Sequence, residues 1–99
     1  MNIEQIKSNV EKLCNQHDVK SLDLFGSVAR GDNNTTSDMD FLVEFDDSEP
    51  KVYSKRFFGL LHSLEDTFHC NIDLLTERSI RKKSLRKRIE KDKICLYER

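Results

Sequence analysis

Ile3, Ile6, Val10 and Leu13 recur at spacings of three and four, with Glu4, Lys7, Glu11 and Lys12 between them. That rhythm predicts an amphipathic helix over roughly residues 2–16. Asn15-Gln16-His17-Asp18 breaks it, and a strand is expected from about Ser21 to Phe25 with Leu22 and Leu24 on one face. The polar stretch Gly31-Asp32-Asn33-Asn34-Thr35-Thr36-Ser37 is rich in turn formers and has no apolar anchor. It should be an exposed loop, mobile until a ligand orders it. A second strand, Met39 to Phe45, carries the run Phe41-Leu42-Val43, apolar on both faces as a central strand requires. Asp46-Asp47-Ser48-Glu49-Pro50 reads as a turn and helix start, with the only proline in the first turn. Phe57, Leu60, Leu61, Leu64 and Phe68 then form the apolar stripe of a helix from Val52 to Phe68, and are expected to be core. A third strand is expected from Asn71 to Thr76, a basic helix around Ile80 to Lys91, and a short closing strand at Ile94-Cys95-Leu96-Tyr97. This alternation predicts an α+β (mixed α/β) fold, a small mixed sheet of about four strands flanked by helices. Residues 1–99 are read as one domain.

Composition narrows the class. Hydrophobic residues are 36% and charged residues 35%, the balance of a soluble globular chain rather than a disordered one. No apolar run approaches the ~20 residues of a membrane span, so no membrane partner is expected. The N-terminus lacks a signal-peptide core, which makes the cytoplasm the expected location. Cys14, Cys70 and Cys95 are scattered and odd in number, so free buried thiols are expected rather than disulfides or a zinc site. The net charge of -1 conceals a division: residues 1–77 hold 7 Lys/Arg and 15 Asp/Glu, residues 78–99 hold 10 and 3.

The chemistry-bearing residues lie in the acidic part. Gly26 ends an apolar strand, and without a Cβ it permits a sharp turn and the close approach of a ligand. Ser27 follows with a hydroxyl and an amide at the start of a short helical turn, suited to phosphate oxygens. Asp38 and Asp40 sit two apart on a strand, so both project from one face with Cα atoms about 6.6 Å apart. Carboxylates at that spacing can grip divalent cations that bridge to phosphates. Asp73 stands among Ile72, Leu74 and Leu75, where an unpaired charge on a buried strand would be costly. If its strand lies beside that of Asp38 and Asp40, the three carboxylates converge, and a cation must balance them. Two Mg²⁺ ions ~3.5–4 Å apart can clamp an in-line displacement at phosphorus. Asp38 and Asp40 would hold the nucleotide's metal. Asp73 would complete the second metal site and help deprotonate an acceptor hydroxyl.

Gly26-Ser27, Arg30-Gly31 and Ser37-Asp38-Met39-Asp40, with a later aspartate on a strand, resemble the nucleotidyltransferase superfamily related to DNA polymerase β. The wording Gly-Ser-Val-Ala-Arg-Gly in a short chain is similar to the minimal nucleotidyltransferases (MNT) of prokaryotes. The resemblance implies a polymerase-β-like nucleotidyltransferase fold, nucleotide phosphates at Gly26 and Ser27, with Arg30 and Ser37 in the same motif, and Mg²⁺ at Asp38 and Asp40. Asp73 matches the family's third carboxylate and favours an active enzyme. Arg30 either reaches phosphate or ties the loop to a carboxylate. The resemblance further implies an antitoxin whose partner is a HEPN-domain toxin, and transfer of AMP from ATP to a tyrosine of that toxin. Two other readings stand beside it: an antitoxin that neutralises its toxin by binding alone, and a transferase acting on a small molecule such as an aminoglycoside.

Plainer roles compete at several positions. Asp73 could pair with a basic residue of the C-terminal helix. Ser27 has no histidine in a supporting motif and is not expected to be a nucleophile. His17, His62 and His69 are isolated and read as surface or helix-packing residues. The segment Arg81-Lys82-Lys83-Ser84-Leu85-Arg86-Lys87-Arg88 is a solvated helix face by default. Lacking interleaved aromatics in an otherwise acidic chain, it fits nucleic acid less well than an acidic patch on a protein partner or an approach for triphosphate.

Overall fold

Asn2 opens the first helix, α1 (Ile3–Gln16), with a reciprocal cap. Its Oδ1 accepts from the Gln5 N–H at 2.8 Å, and the Gln5 side chain accepts from the Asn2 N–H at 3.0 Å. The computed structural model describes residues 2–32, 38–46 and 49–99. After α1 come β1 (Val19–Phe25), α2 (Gly26–Arg30), β2 (Met39–Phe45), α3 (Pro50–Phe68) and β3 (Ile72–Thr76). A 3₁₀ turn (Glu77–Ser79), α4 (Lys83–Asp92) and β4 (Ile94–Glu98) complete the order. Among the described residues the strands make one mixed sheet in the order β3-β2-β1-β4. β1 runs antiparallel to β2 and β4, and β2 runs parallel to β3.

Strand alternation divides the core between the two faces of the sheet. Met39, Phe41, Val43 and Phe45 of β2 point with Leu22 and Leu24 of β1 into a cluster closed by Ile6, Val10 and Cys14 of α1 and Leu60 and Leu64 of α3. Each fully buried leucine there contributes ~1.5–3 kcal/mol relative to exposure. On the other face, Phe25 and Leu42 meet Ile80 and Ile89 in a smaller cluster. The aliphatic face of α4 covers it, and the helix turns its cations to solvent. No helix among the described residues is long and apolar enough to cross a membrane.

Three expectations need correction. β3 is an edge strand and Asp73 on it is exposed, so burial does not oblige that carboxylate to find a partner. The basic helix starts at Lys83 rather than near Ile80. Thr76 and Ser79 cap the 3₁₀ turn instead, and Ile80 leaves it in an extended conformation to reach the smaller cluster. The cysteines are free, but Cys95 is exposed on the other edge strand, β4, and only Cys14 is fully buried. Most of the polar loop, residues 33–37, lies outside the described residues, while Gly31 and Asp32 are exposed. Two of the histidines pack or pair locally: the His17 Nε2 lies 3.2 Å from the Ser63 hydroxyl on α3, and His62 Nδ1 is 3.3 Å from Glu65.

Candidate active site

Two ladders bring the carboxylates and the Gly-Ser turn together. The antiparallel pairing of β1 with β2 sets Phe25, the last residue of β1, opposite Asp40. Gly26 therefore turns away beside Asp40, at φ +80°, in the left-handed region that favours glycine. A Cβ at Gly26 would stand 2.1 Å from Asp40 Oδ2 and 3.0 Å from its Cγ. The close approach anticipated at Gly26 is thus made first by the protein's own carboxylate. The parallel pairing of β2 with β3 sets Asp40 opposite Asp73, and the Met39 N–H donates to the Asn71 carbonyl at 3.1 Å as that ladder begins. The expected juxtaposition of β3 with β2 is correct. The site lies where β1 ends and the parallel pair begins.

Electrostatics mark Asp40 as the unusual member. The half-buried carboxyl is pushed up from its ordinary 3.8 to about 6, first by burial and then by the charge and hydrogen bond of Asp73 and the charge of Asp38. Arg30 acts in the opposite sense and is the weakest of these influences. Among the described residues, no three His, Cys, Asp or Glu side chains already form a metal cage. The donor set still fits Mg²⁺. That ion takes oxygen ligands, keeps several waters, and is commonly held by one or two carboxylates together with substrate phosphates rather than by a full protein cage. Carboxyl groups that repel one another where a cation would relieve them supply that minimum.

The remaining motif residues are placed unequally. Ser27 is half-buried in the first turn of α2 and its carbonyl accepts from the Asp32 N–H at 2.9 Å. Gly31, at φ +78°, ends that helix. Arg30 ties rather than reaches: its Nη1 donates to Asp92 Oδ2 at 2.7 Å and its Nε to Asp32 Oδ2 at 3.1 Å. Ser37 falls outside the described residues. Asp73 forms no ion pair with a basic residue of α4 among the described residues. Asp92, whose side chain is only 8% exposed, was invisible to sequence reasoning, because it meets Arg30 across 62 positions with no local signal.

A family model for the nucleotidyltransferase domain matches residues 4–96. The chain belongs to the nucleotidyltransferase-domain family. This nucleotidyltransferase is 36% identical, over 91 residues, to the Methanocaldococcus jannaschii protein named "Putative protein adenylyltransferase"; the match covers 92% of this chain and 90% of the relative. A solved structure named "putative minimal nucleotidyltransferase" superposes with a TM-score of 0.67 at 28% identity, covering 95% of each chain. A chain of the tri-AMPylated Shewanella oneidensis HEPN toxin in complex with MNT antitoxin superposes with a TM-score of 0.66 over 98% of this chain and 73% of that one. At 18% identity the last shows a shared fold. The expected polymerase-β-like nucleotidyltransferase architecture is what the mixed sheet and its flanking helices form.

Proposed function

We propose that this chain transfers AMP from ATP, with Mg²⁺, to a tyrosine hydroxyl of a partner HEPN toxin, and thereby acts as an antitoxin. The observation that carries the reading is the alignment of Asp40 with Asp73, and of Gly26 against Asp40, at one end of the sheet. The relative named for protein adenylylation and the fold shared with the AMPylated toxin complex support the choice of acceptor.

Two Mg²⁺ ions, when bound, would neutralise phosphate charge and orient the reacting oxygens. The protein's own contributions are separate. Gly26 leaves open backbone and Ser27 offers its amide and hydroxyl to the phosphates, while Ser37 is assigned to the nucleotide from its motif position. Asp40 on β2 and Asp38, exposed one residue before that strand, present the metal-binding oxygens, and Asp73 completes the set from β3. Arg30, through Asp92, keeps α2 and its Gly-Ser turn against α4, while Asp32 holds the same guanidinium. Asp73, exposed at the sheet edge, can take the proton of the acceptor hydroxyl. The acceptor oxygen then bonds to the α-phosphorus as the bond to pyrophosphate breaks.

The test is incubation with ATP labelled in its α-phosphate, Mg²⁺ and the neighbouring gene product. Label is expected on the partner with the wild-type chain and not with Asp38→Asn plus Asp40→Asn. An unlabelled partner, or undiminished label with the double variant, rejects the proposal. Neutralisation of the toxin by the inactive double variant would favour an antitoxin that acts by binding alone.

A further inference from the structure

The helix α4 is poorly built for its own stability. Its N-cap is Lys82, without a side-chain cap, its first turn holds no acid, and its first residue is Lys83. Cations at that end oppose the helix dipole. Lys83, Lys87 and Lys91 follow at i, i+4 and i+8, a spacing at which like charges repel along one face. Two basic residues nearby have partners: Arg86 Nη1 lies 2.7 Å from Glu77 and Lys93 Nζ 3.2 Å from Glu90. Lys83, Lys87, Arg88 and Lys91 form no ion pair among the described residues.

Three of these four cations line a groove of about 380 Å³ with Arg30 and Asp92. Asp92 is the only carboxylate in that lining among the described residues, and Arg30 already engages it at 2.7 Å. The groove therefore keeps an uncompensated positive charge beside the acidic site: Arg30, which lines it, ends the short helix α2 that Gly26 opens against Asp40. Within the lining, Lys87 and Lys91 lie about 6 Å apart along α4 at 1.5 Å per residue. An extended peptide with acids at alternate positions repeats at about 6.6 Å.

We propose that the groove between α2 and α4 docks an extended acidic segment of the acceptor protein, next to the hydroxyl that receives the nucleotide. The inference rests on the reading of a protein acceptor and gives that acceptor a recognition element. Asp38, Asp40 and Asp73 repel an acidic chain, so its acids settle on α4 and only the neutral hydroxyl enters the carboxylate site. Nucleic acid fits less well, because no aromatic side chain among the described residues lines the groove and residues 1–77 carry 15 acids against 7 bases.

The test uses fluorescein-labelled deca-glutamate and decauridylate RNA as probes in fluorescence anisotropy at low and physiological salt. Wild type is compared with Lys87→Glu/Lys91→Glu and with the charge-matched control Arg81→Glu/Lys82→Glu, which lies outside the groove lining. Deca-glutamate is expected to bind wild type in a salt-sensitive manner, at least about tenfold weaker to the groove variant and little changed with the control. Equal loss in both variants, or no binding to wild type, overturns the proposal. Tighter binding of decauridylate than of deca-glutamate to wild type also overturns it, in favour of RNA. Circular dichroism checks folding, and Lys87→Gln/Lys91→Gln must show the same direction of loss if the glutamates disturb the helix. The thermal shift produced by ATP with Mg²⁺ is read separately. It should persist in the groove variant, and its absence in wild type would count against nucleotide transfer without touching the peptide result.

Discussion

Replacing Asp40 with asparagine should stabilise the metal-free protein at neutral pH. Asp40 binds its proton more tightly when folded, near 6, than its ordinary 3.8. Stability from this group is therefore fully present below about pH 4 and is lost as the pH rises through about 6. A shift of that size corresponds to about 3 kcal/mol if fully expressed. Water reaches much of the half-buried carboxyl, and screening reduces the expected effect to about 1 kcal/mol. The substitution Asp40→Asn keeps the shape of the side chain and removes its charge. At pH 7.5 with EDTA, the variant should melt above wild type by roughly 4–8 °C, the shift per kcal/mol for a domain of this size. At pH 4 the two should coincide. Added Mg²⁺ should raise the melting temperature of wild type and leave the variant unmoved. The assay is thermal unfolding followed by circular dichroism at both pH values, with and without the ion. A variant less stable than wild type in EDTA at pH 7.5, or the same difference at both pH values, would show that the Asp40 charge does not destabilise the metal-free fold.

Further outcomes follow from single positions. Gly26→Ala places a Cβ 2.1 Å from Asp40 Oδ2 at φ +80° and should lose about 1–2 kcal/mol from backbone strain, together with nucleotide transfer. Gly31→Ala, at φ +78° with nothing among the described residues within 4 Å of its Cβ, should show strain alone; urea midpoints and labelled ATP separate the two, and an active Gly26→Ala would contradict the role given to Gly26. Asp92→Asn removes the 2.7 Å partner of Arg30, whose side chain is 40% exposed and can rehydrate, so the urea midpoint should fall slightly; no change would mean the clamp contributes nothing. The Cys14 thiol is pushed up to about 12 by burial and by Glu11, so iodoacetamide at pH 8 should modify exposed Cys95 first and leave Cys14 intact by peptide mass mapping.

Local signals carried much of the fold. β2 occupies Met39–Phe45, the span that its apolar run indicates, and α1 follows the three-four spacing of its aliphatic residues. Pairing carried what spacing could not. Whether Asp73 is buried depends on the order of strands, and β3 proved to be an edge. The purpose of Gly26 was half legible: glycine announced a close approach, but only the register of β1 with β2 identifies Asp40 as the group that arrives. Arg30 had two open roles in the sequence, and its partner Asp92 lies 62 residues away on an element with no motif of its own. The basic segment read as a solvated face because a sequence shows its charges without showing which are paired. Arg86 and Lys93 have partners, whereas Lys87, Arg88 and Lys91 share a groove with the residue that braces α2.

The most direct test of the central claim is the intact mass of the partner protein after incubation with this chain, ATP and Mg²⁺. Protein adenylylation predicts added mass in whole increments of AMP, lost on Asp38→Asn plus Asp40→Asn and on removal of Mg²⁺, with the modified site mapping to a tyrosine. A partner of unchanged mass that is nevertheless silenced, or the same added mass with the double variant, would contradict it.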